Sequence, residues 1–282
     1  MTAFQLAVAA SLLAVIGPAS ALSQKTDTVV ASGRRFEVLR MGAGIPTLVL
    51  ESGAGEGASE WRGIIADLAK LTHVVAYSRA GHGASEATTN PGSPQASVQD
   101  LHDLLITLGE TQPVILAGHS WGGLLTRLYL STYPGAVAGL VLIDATHESQ
   151  YARWQPLSPR FRIVDSVRIL IPRLPPAARD DFAQILAVEE TQRVSGMRPL
   201  PAQLPLAVIT AMKPCAPTRE FTCRDPKARA VWRDLQDEWF EEAQTGIHIV
   251  SAQTEHYVMN DQPQLILSAV QFILTQTRAT KP

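Results

Sequence analysis

Six short runs of apolar residues punctuate the chain: Thr47-Leu-Val-Leu, His73-Val-Val-Ala-Tyr, Val114-Ile-Leu-Ala, Leu140-Val-Leu-Ile, Leu206-Ala-Val-Ile-Thr and Ile247-His-Ile-Val. They are continuous rather than alternating, as strands covered on both faces are. Between them, Glu60 to Leu71, Ser97 to Leu108 and Gly122 to Thr132 repeat apolar residues at three- and four-residue steps, and Gln264 to Leu274 follows the last run in the same way. That is the spacing of amphipathic helices. Strand and helix patterns alternating along most of the chain predict an α/β fold, a mostly parallel sheet with helices on both faces.

The alternation breaks over residues 148–203. This stretch holds prolines at 156, 159, 172, 175, 176, 199 and 201, a helical piece from Asp180 to Arg193, and no strand pattern. Ligands of open α/β sheets bind outside the carboxyl ends of the strands. An insertion leaving there is expected to form a helical lid, lined by Phe161, Ile169, Leu170 and Phe182 over an apolar pocket. The expected organisation is a leader at 1–21, a first core part at 22–147, the lid at 148–203 and a second core part at 204–282.

Composition narrows the partners. The 282 residues are 46 % hydrophobic with a formal net charge of −2, and no run of five or six like charges occurs. Such a chain has no electrostatic footprint for nucleic acid, so a small molecule is the expected partner. No His/Cys group has structural-zinc spacing, and neither a metal nor a cofactor is expected. Residues 1–24 carry no charged side chain, and the apolar stretch from Phe4 to about Ile16 is short for a bilayer span and is followed by Ala19-Ser20-Ala21. The pattern suits a secretory signal cleaved before Leu22, although its first basic residue is Lys25. Export, secreted or periplasmic, without stable membrane insertion of the mature chain, is the resulting expectation. Cys215 and Cys223 are close enough in sequence for a local disulfide, which would contribute about 2.5 kcal/mol by loop-closure entropy and persist only in an oxidising compartment.

The candidate chemistry lies in Ala117-Gly-His-Ser-Trp-Gly-Gly123, between an apolar strand pattern and a helix pattern. An isolated serine is a poor nucleophile, and a chain that uses one must expose it beside a base. Gly118-His119-Ser120-Trp121-Gly122 fits G-x-S-x-G, in which the serine sits on a sharp strand-to-helix turn with small residues packed around it.

From about Val29 to Thr277 the chain resembles the α/β-hydrolase superfamily. Glu51-Ser-Gly-Ala-Gly55 matches the position of the family's oxyanion loop, with Ser52 where His is common. Tyr77-Ser-Arg-Ala-Gly-His-Gly-Ala-Ser85 is similar to its D-x-R-G-x-G-x-S segment, with Ser78 in place of Asp. The resemblance implies that Ser120 is the nucleophile and that the backbone N–H groups of Trp121 and Ala54 form the oxyanion hole. It implies also that the base is a histidine after the last strand, here His256 in Thr254-Glu-His-Tyr; His147 is the rival near a strand end. Members often carry the acid after the strand matching Leu206 to Thr210, but no carboxylate follows there until Glu220. Others draw it from the preceding strand, whose end here is Asp144, leaving Glu220 and Asp225 as rivals. A Ser120, His256, Asp144 set implies hydrolysis of carboxylic esters through an acyl-enzyme. Dehalogenases and epoxide hydrolases of the superfamily use aspartate at the nucleophile position, and the serine argues against both. An aminopeptidase like the proline iminopeptidases is the alternative on the Ser-Trp-Gly run, with Glu189 and Glu190 as candidate holders of the substrate amine or simply a solvated helix face. A non-catalytic ligand-binding protein on the same fold is a further alternative.

Overall fold

A computed structural model of the chain describes residues 25–88, 92–157, 171–215, 223, 225–241 and 243–279. The leader at 1–21, Phe161, Ile169, Leu170 and Glu220 lie outside the described residues. Eight strands form one sheet: β1 (Lys25–Ala31), β2 (Arg34–Met41), β3 (Leu48–Glu51), β4 (Val74–Tyr77), β5 (Val114–His119), β6 (Val137–Ile143), β7 (Leu206–Ala211) and β8 (Gly246–Ser251), in the order β1-β2-β4-β3-β5-β6-β7-β8. β1 and β2 are antiparallel to their neighbours, and β3 through β8 run parallel. All six predicted strand runs are strands, in the expected mostly parallel sheet.

The hairpin of β1 and β2 carries no continuous apolar run, because part of it faces solvent. It closes through Ser32 and Gly33, both at positive φ, the backbone of a two-residue turn that matches strand twist.

The eight helices named here are α1 (Ile65–Leu68), α2 (Pro94–Thr107), α3 (Trp121–Thr132), α4 (Gln150–Trp154), α5 (Pro176–Thr191), α6 (Pro226–Glu241), α7 (Val258–Asp261) and α8 (Pro263–Ala279). Alternate strand residues feed opposite cores. Leu116 packs with Leu104, Leu124, Leu128 and Trp239 of α2, α3 and α6. Ile115 and Ala117 pack instead with Ile65, Leu68, Ile266 and Val270 of α1 and α8. Covering on both faces is why the strands read as unbroken apolar runs. The helix expected over Glu60 to Leu71 is reduced to a 3-10 turn, Ala58–Trp61, and the short α1, with Gly63 between them. Residues 148–203 leave after β6 and return into β7, and the described residues among them contain α4 and α5 but no strand. Cys215 and Cys223 form a disulfide.

Candidate active site

Ser120 stands between β5 and α3 with φ 51° and ψ −123°, left-handed backbone that typically costs about 1–3 kcal/mol for a residue bearing a side chain. Hydrogen bonds on both sides hold it. Its N–H donates to Ile143 O (3.1 Å), and its carbonyl accepts from the N–H groups of Gly123 and Thr146, both at 2.9 Å. The glycines answer to close approach. A Cβ on Gly118 would lie 2.5 Å from Gly122 O, one on Gly122 would lie 2.4 Å from Glu51 O, and one on Gly123 would meet the Ala145 Cβ at 2.2 Å. The small residues are thus required by the turn, which leaves the serine half-buried at the carboxyl end of the central strands.

Two other predicted residues meet directly. His256, on the loop between β8 and α7, points Nδ1 at Asp144 Oδ2, 2.7 Å away. Asp144 follows β6, also at positive φ, and is nearly buried. Its Oδ1 accepts from Ala211 N (2.9 Å) and from Trp232 Nε1 (2.7 Å). Ala211 ends β7, where an acid is common in the family, and its N–H here holds the carboxylate supplied by the neighbouring strand. The rival Asp225 is engaged otherwise. Its Oδ1 accepts from Lys227 N (2.8 Å) and Ala228 N (3.3 Å) and caps α6. His147 stacks on Trp239 with ring centroids 4.8 Å apart, and burial lowers its pKa to about 4.

The other side of the site is the loop 52–57. Arg79, buried, donates to Ser52 O, Gly53 O and Glu51 Oε1, each at 2.6 Å. Ser52, standing where the family often has His, accepts from Trp61 Nε1 and donates to Gly57 O, each at 2.9 Å. Gly53 N donates to Glu60 Oε2 (3.1 Å) and Gly55 N to Asp181 Oδ2 (2.9 Å). Both amides flanking Ala54 are therefore anchored, which sets the orientation of the peptide between them. Trp121, the other residue assigned to the oxyanion hole, is the first residue of α3, where amide N–H groups at a helix start lack intrahelical partners.

Asp181 and Glu60 escaped the sequence reading. Neither lies in a local motif, and only the fold brings them to this loop. Asp181 belongs to α5, in the 148–203 segment, and its Oδ2 also accepts from Arg79 Nη2 (2.6 Å) and lies 3.0 Å from His82 Nε2. Burial would raise this carboxyl, but Arg79 and His82 outweigh burial and hold its pKa at about 2, against an ordinary 3.8. A carboxylate depressed on folding stabilises fully above its unfolded pKa, near 4, and loses that contribution as pH falls towards 2. The amount is roughly 2 kcal/mol. Asp181→Asn is expected to lower stability at pH 7 by about 2–3 kcal/mol and to flatten the loss of stability between pH 4 and 2. Denaturant unfolding across that range checks both, and an unchanged acid slope would refute the coupling. Farther along α5, Glu190 is exposed as a solvated face requires, but Glu189 is only 5 % exposed, and burial raises its carboxyl to about 7. The solvated-face expectation fails there because Glu189 turns towards the core.

A family model of the alpha/beta hydrolase family matches residues 48–269. Mouse epoxide hydrolase 4 is 30 % identical over 149 residues, 51 % of this chain and 41 % of that protein. The chain spans less than half the length of the curated relatives it matches. A thermophilic esterase from Thermogutta terrifontis superposes with a TM-score of 0.63 at 17 % identity, covering 90 % of this chain and 99 % of that one. The 2-hydroxy-6-oxo-6-phenylhexa-2,4-dienoate hydrolase from a Rhodococcus strain gives 0.65 at 18 % identity, with the same coverage. Sheet order, the strained serine at the end of β5 and a family match across most of the chain agree, and the chain belongs to the alpha/beta hydrolase family.

Proposed function

We propose that this hydrolase cleaves carboxylic esters of small molecules through an acyl-enzyme. The observation that carries the reading is the His256 Nδ1 to Asp144 Oδ2 contact of 2.7 Å, from residues 112 positions apart, on the same edge of the sheet as the Ser120 elbow. In this reading Ser120 attacks the carbonyl, and His256 takes the proton and returns it to the leaving group. Asp144 holds the imidazole with its proton on Nδ1, so that Nε2 is the unprotonated nitrogen that acts as base. The N–H groups of Trp121 and Ala54 receive the negative charge of the tetrahedral intermediate, and one such donor is worth about 3 kcal/mol in the transition state. Water then attacks the acyl-enzyme with His256 as base. No metal or cofactor enters the scheme. Epoxide hydrolase 4 is named for a different activity. The nucleophile position here holds serine, and a hydroxyl suits acyl transfer.

The 148–203 segment serves as the lid in this scheme, with Phe182 against the acyl pocket and Asp181 fastening it to the loop of Ala54. The structure describes no helix long and apolar enough to cross a membrane. The aminopeptidase is the second reading, carried by the Ser120-Trp-Gly run; Glu189 lends it little, since its carboxyl is buried and raised to about 7.

One assay decides between these readings. Nitrophenyl esters of graded chain length are run beside a prolyl arylamide, and a serine-directed phosphonate is mapped by intact and peptide mass. Ester turnover with the adduct on Ser120 is the expected result. Arylamide turnover exceeding that of every ester would favour the aminopeptidase. An active preparation with no adduct on Ser120 would sink the acyl-enzyme.

A further inference from the structure

His119, the residue before Ser120, is buried between two oxygen acceptors. Its Nδ1 lies 2.6 Å from Glu60 Oε1, and its Nε2 lies 3.0 Å from the main-chain oxygen of His256. Neither oxygen carries a proton to give, since one belongs to a carboxylate and the other to a peptide carbonyl. The ring makes both bonds only as imidazolium, donating at each nitrogen. The pair is sealed, with side-chain exposures of 1 % for His119 and 3 % for Glu60. Burial works to raise the Glu60 carboxyl, but the charge of His119 and the hydrogen bonds from His119 and Gly53 prevail and hold it below the usual range.

The same carboxylate thus ties together two parts of the site that the chain supplies separately. Through Oε2 it holds Gly53 N, next to Ala54, and through His119 it holds the backbone of His256. The His119 and His256 rings are 4.6 Å apart between centroids, and the Tyr257 ring is 5.4 Å from His119. Arg79 adds to the positive field at Glu60, and Asp144 faces His256 from its other side.

We infer that Glu60 and His119 are positioning residues of the hydrolytic site, a buried ion pair that sets the His256 loop and the loop of Ala54 in mutual register. The inference rests on the ester-hydrolase reading above. A fixed cation beside His256 also disfavours a second positive charge on that ring, so the base stays unprotonated to lower pH.

Glu60→Gln tests this. The amide oxygen stays on Gly53 N and the NH₂ turns to Nδ1, which must then accept, so His119 becomes the neutral Nε2–H ring and the two loops are held by neutral hydrogen bonds in place of charge-assisted ones. For the ester that the wild type turns over best, kcat is expected to fall about 10- to 100-fold with KM within about twofold, as for a small displacement of a reacting group. The acid limb of the kcat/KM profile is expected to move to higher pH. His119→Gln, which keeps a donor for His256 O, is expected to shift the limb in the same direction. It supplies the readout should Glu60→Gln fail to fold. The double variant is expected to cost little more than the worse single one, because the two act as a unit. A folded Glu60→Gln or His119→Gln variant with wild-type kcat and an unmoved limb, in a preparation whose wild type hydrolyses ester and is labelled at Ser120, overturns the positioning role and leaves the ester reading intact. Loss of kcat with an unmoved limb reduces the pair to a structural contact and also overturns it. A wild type without ester turnover or label overturns the ester reading, and this inference with it.

Discussion

Ser120→Ala is expected to lower kcat on a short-chain ester by about 10⁶-fold, the scale seen when the nucleophile or base of such a constellation is removed, with KM little changed. Attack on the carbonyl is made only in the transition state, so the loss falls on kcat. A residual rate about 10³-fold or more above water is expected from the oxyanion donors and from binding. The variant should fold, because the Ser120 side chain makes no capping hydrogen bond with α3, and the strained turn is held by backbone bonds and by the glycines around it. Steady-state kinetics beside thermal unfolding check it. A folded variant retaining a tenth or more of wild-type turnover would falsify the nucleophile assignment.

Asp144→Asn is expected to cost about 10⁴-fold in kcat, and the surrounding geometry explains why an isosteric change is so severe. An asparagine can place its oxygen either towards His256 or towards Ala211 N and Trp232 Nε1. The second side holds two donors. Turning the NH₂ towards them would leave three donor groups facing one another, so the amide oxygen stays on that side and the NH₂ faces His256. Nδ1 must then accept, the ring proton moves to Nε2, and the base can no longer take a proton from Ser120. Asp225→Asn provides the contrast. Asparagine caps helices about as well as aspartate, so α6 and the activity should both survive. Equal kcat for a folded Asp144→Asn variant and wild type would remove Asp144 from the mechanism.

The parts of this protein legible in its sequence were those written in local pattern. Doubly covered strands give continuous apolar runs, and the elbow needs glycine at 118, 122 and 123 because each Cβ would strike a neighbour. The fold class and Ser120 could therefore be named before any coordinates, while His256 and Asp144 were named only through the resemblance to the family. The hairpin of β1 and β2 was missed because partial exposure dilutes its pattern, and α6 because its polar face outweighs a few buried tryptophans.

Tertiary structure decided what depends on distance across the fold. The choice among Asp144, Asp225 and Glu220 as partner of His256 had no local answer, since each is a carboxylate near a strand end or a loop. It turned on the register of β6 against β7, which sets Ala211 N beside Asp144, and on α6, which brings Trp232 to the same oxygen while Asp225 caps that helix. Glu60 and Asp181 were equally silent. Hydrophobic periodicity reports which face of an element is buried, not which buried charge it will meet. The pairs Glu60 with His119 and Asp181 with Arg79 span 59 and 102 positions, and only the closed fold brings them within hydrogen-bonding distance.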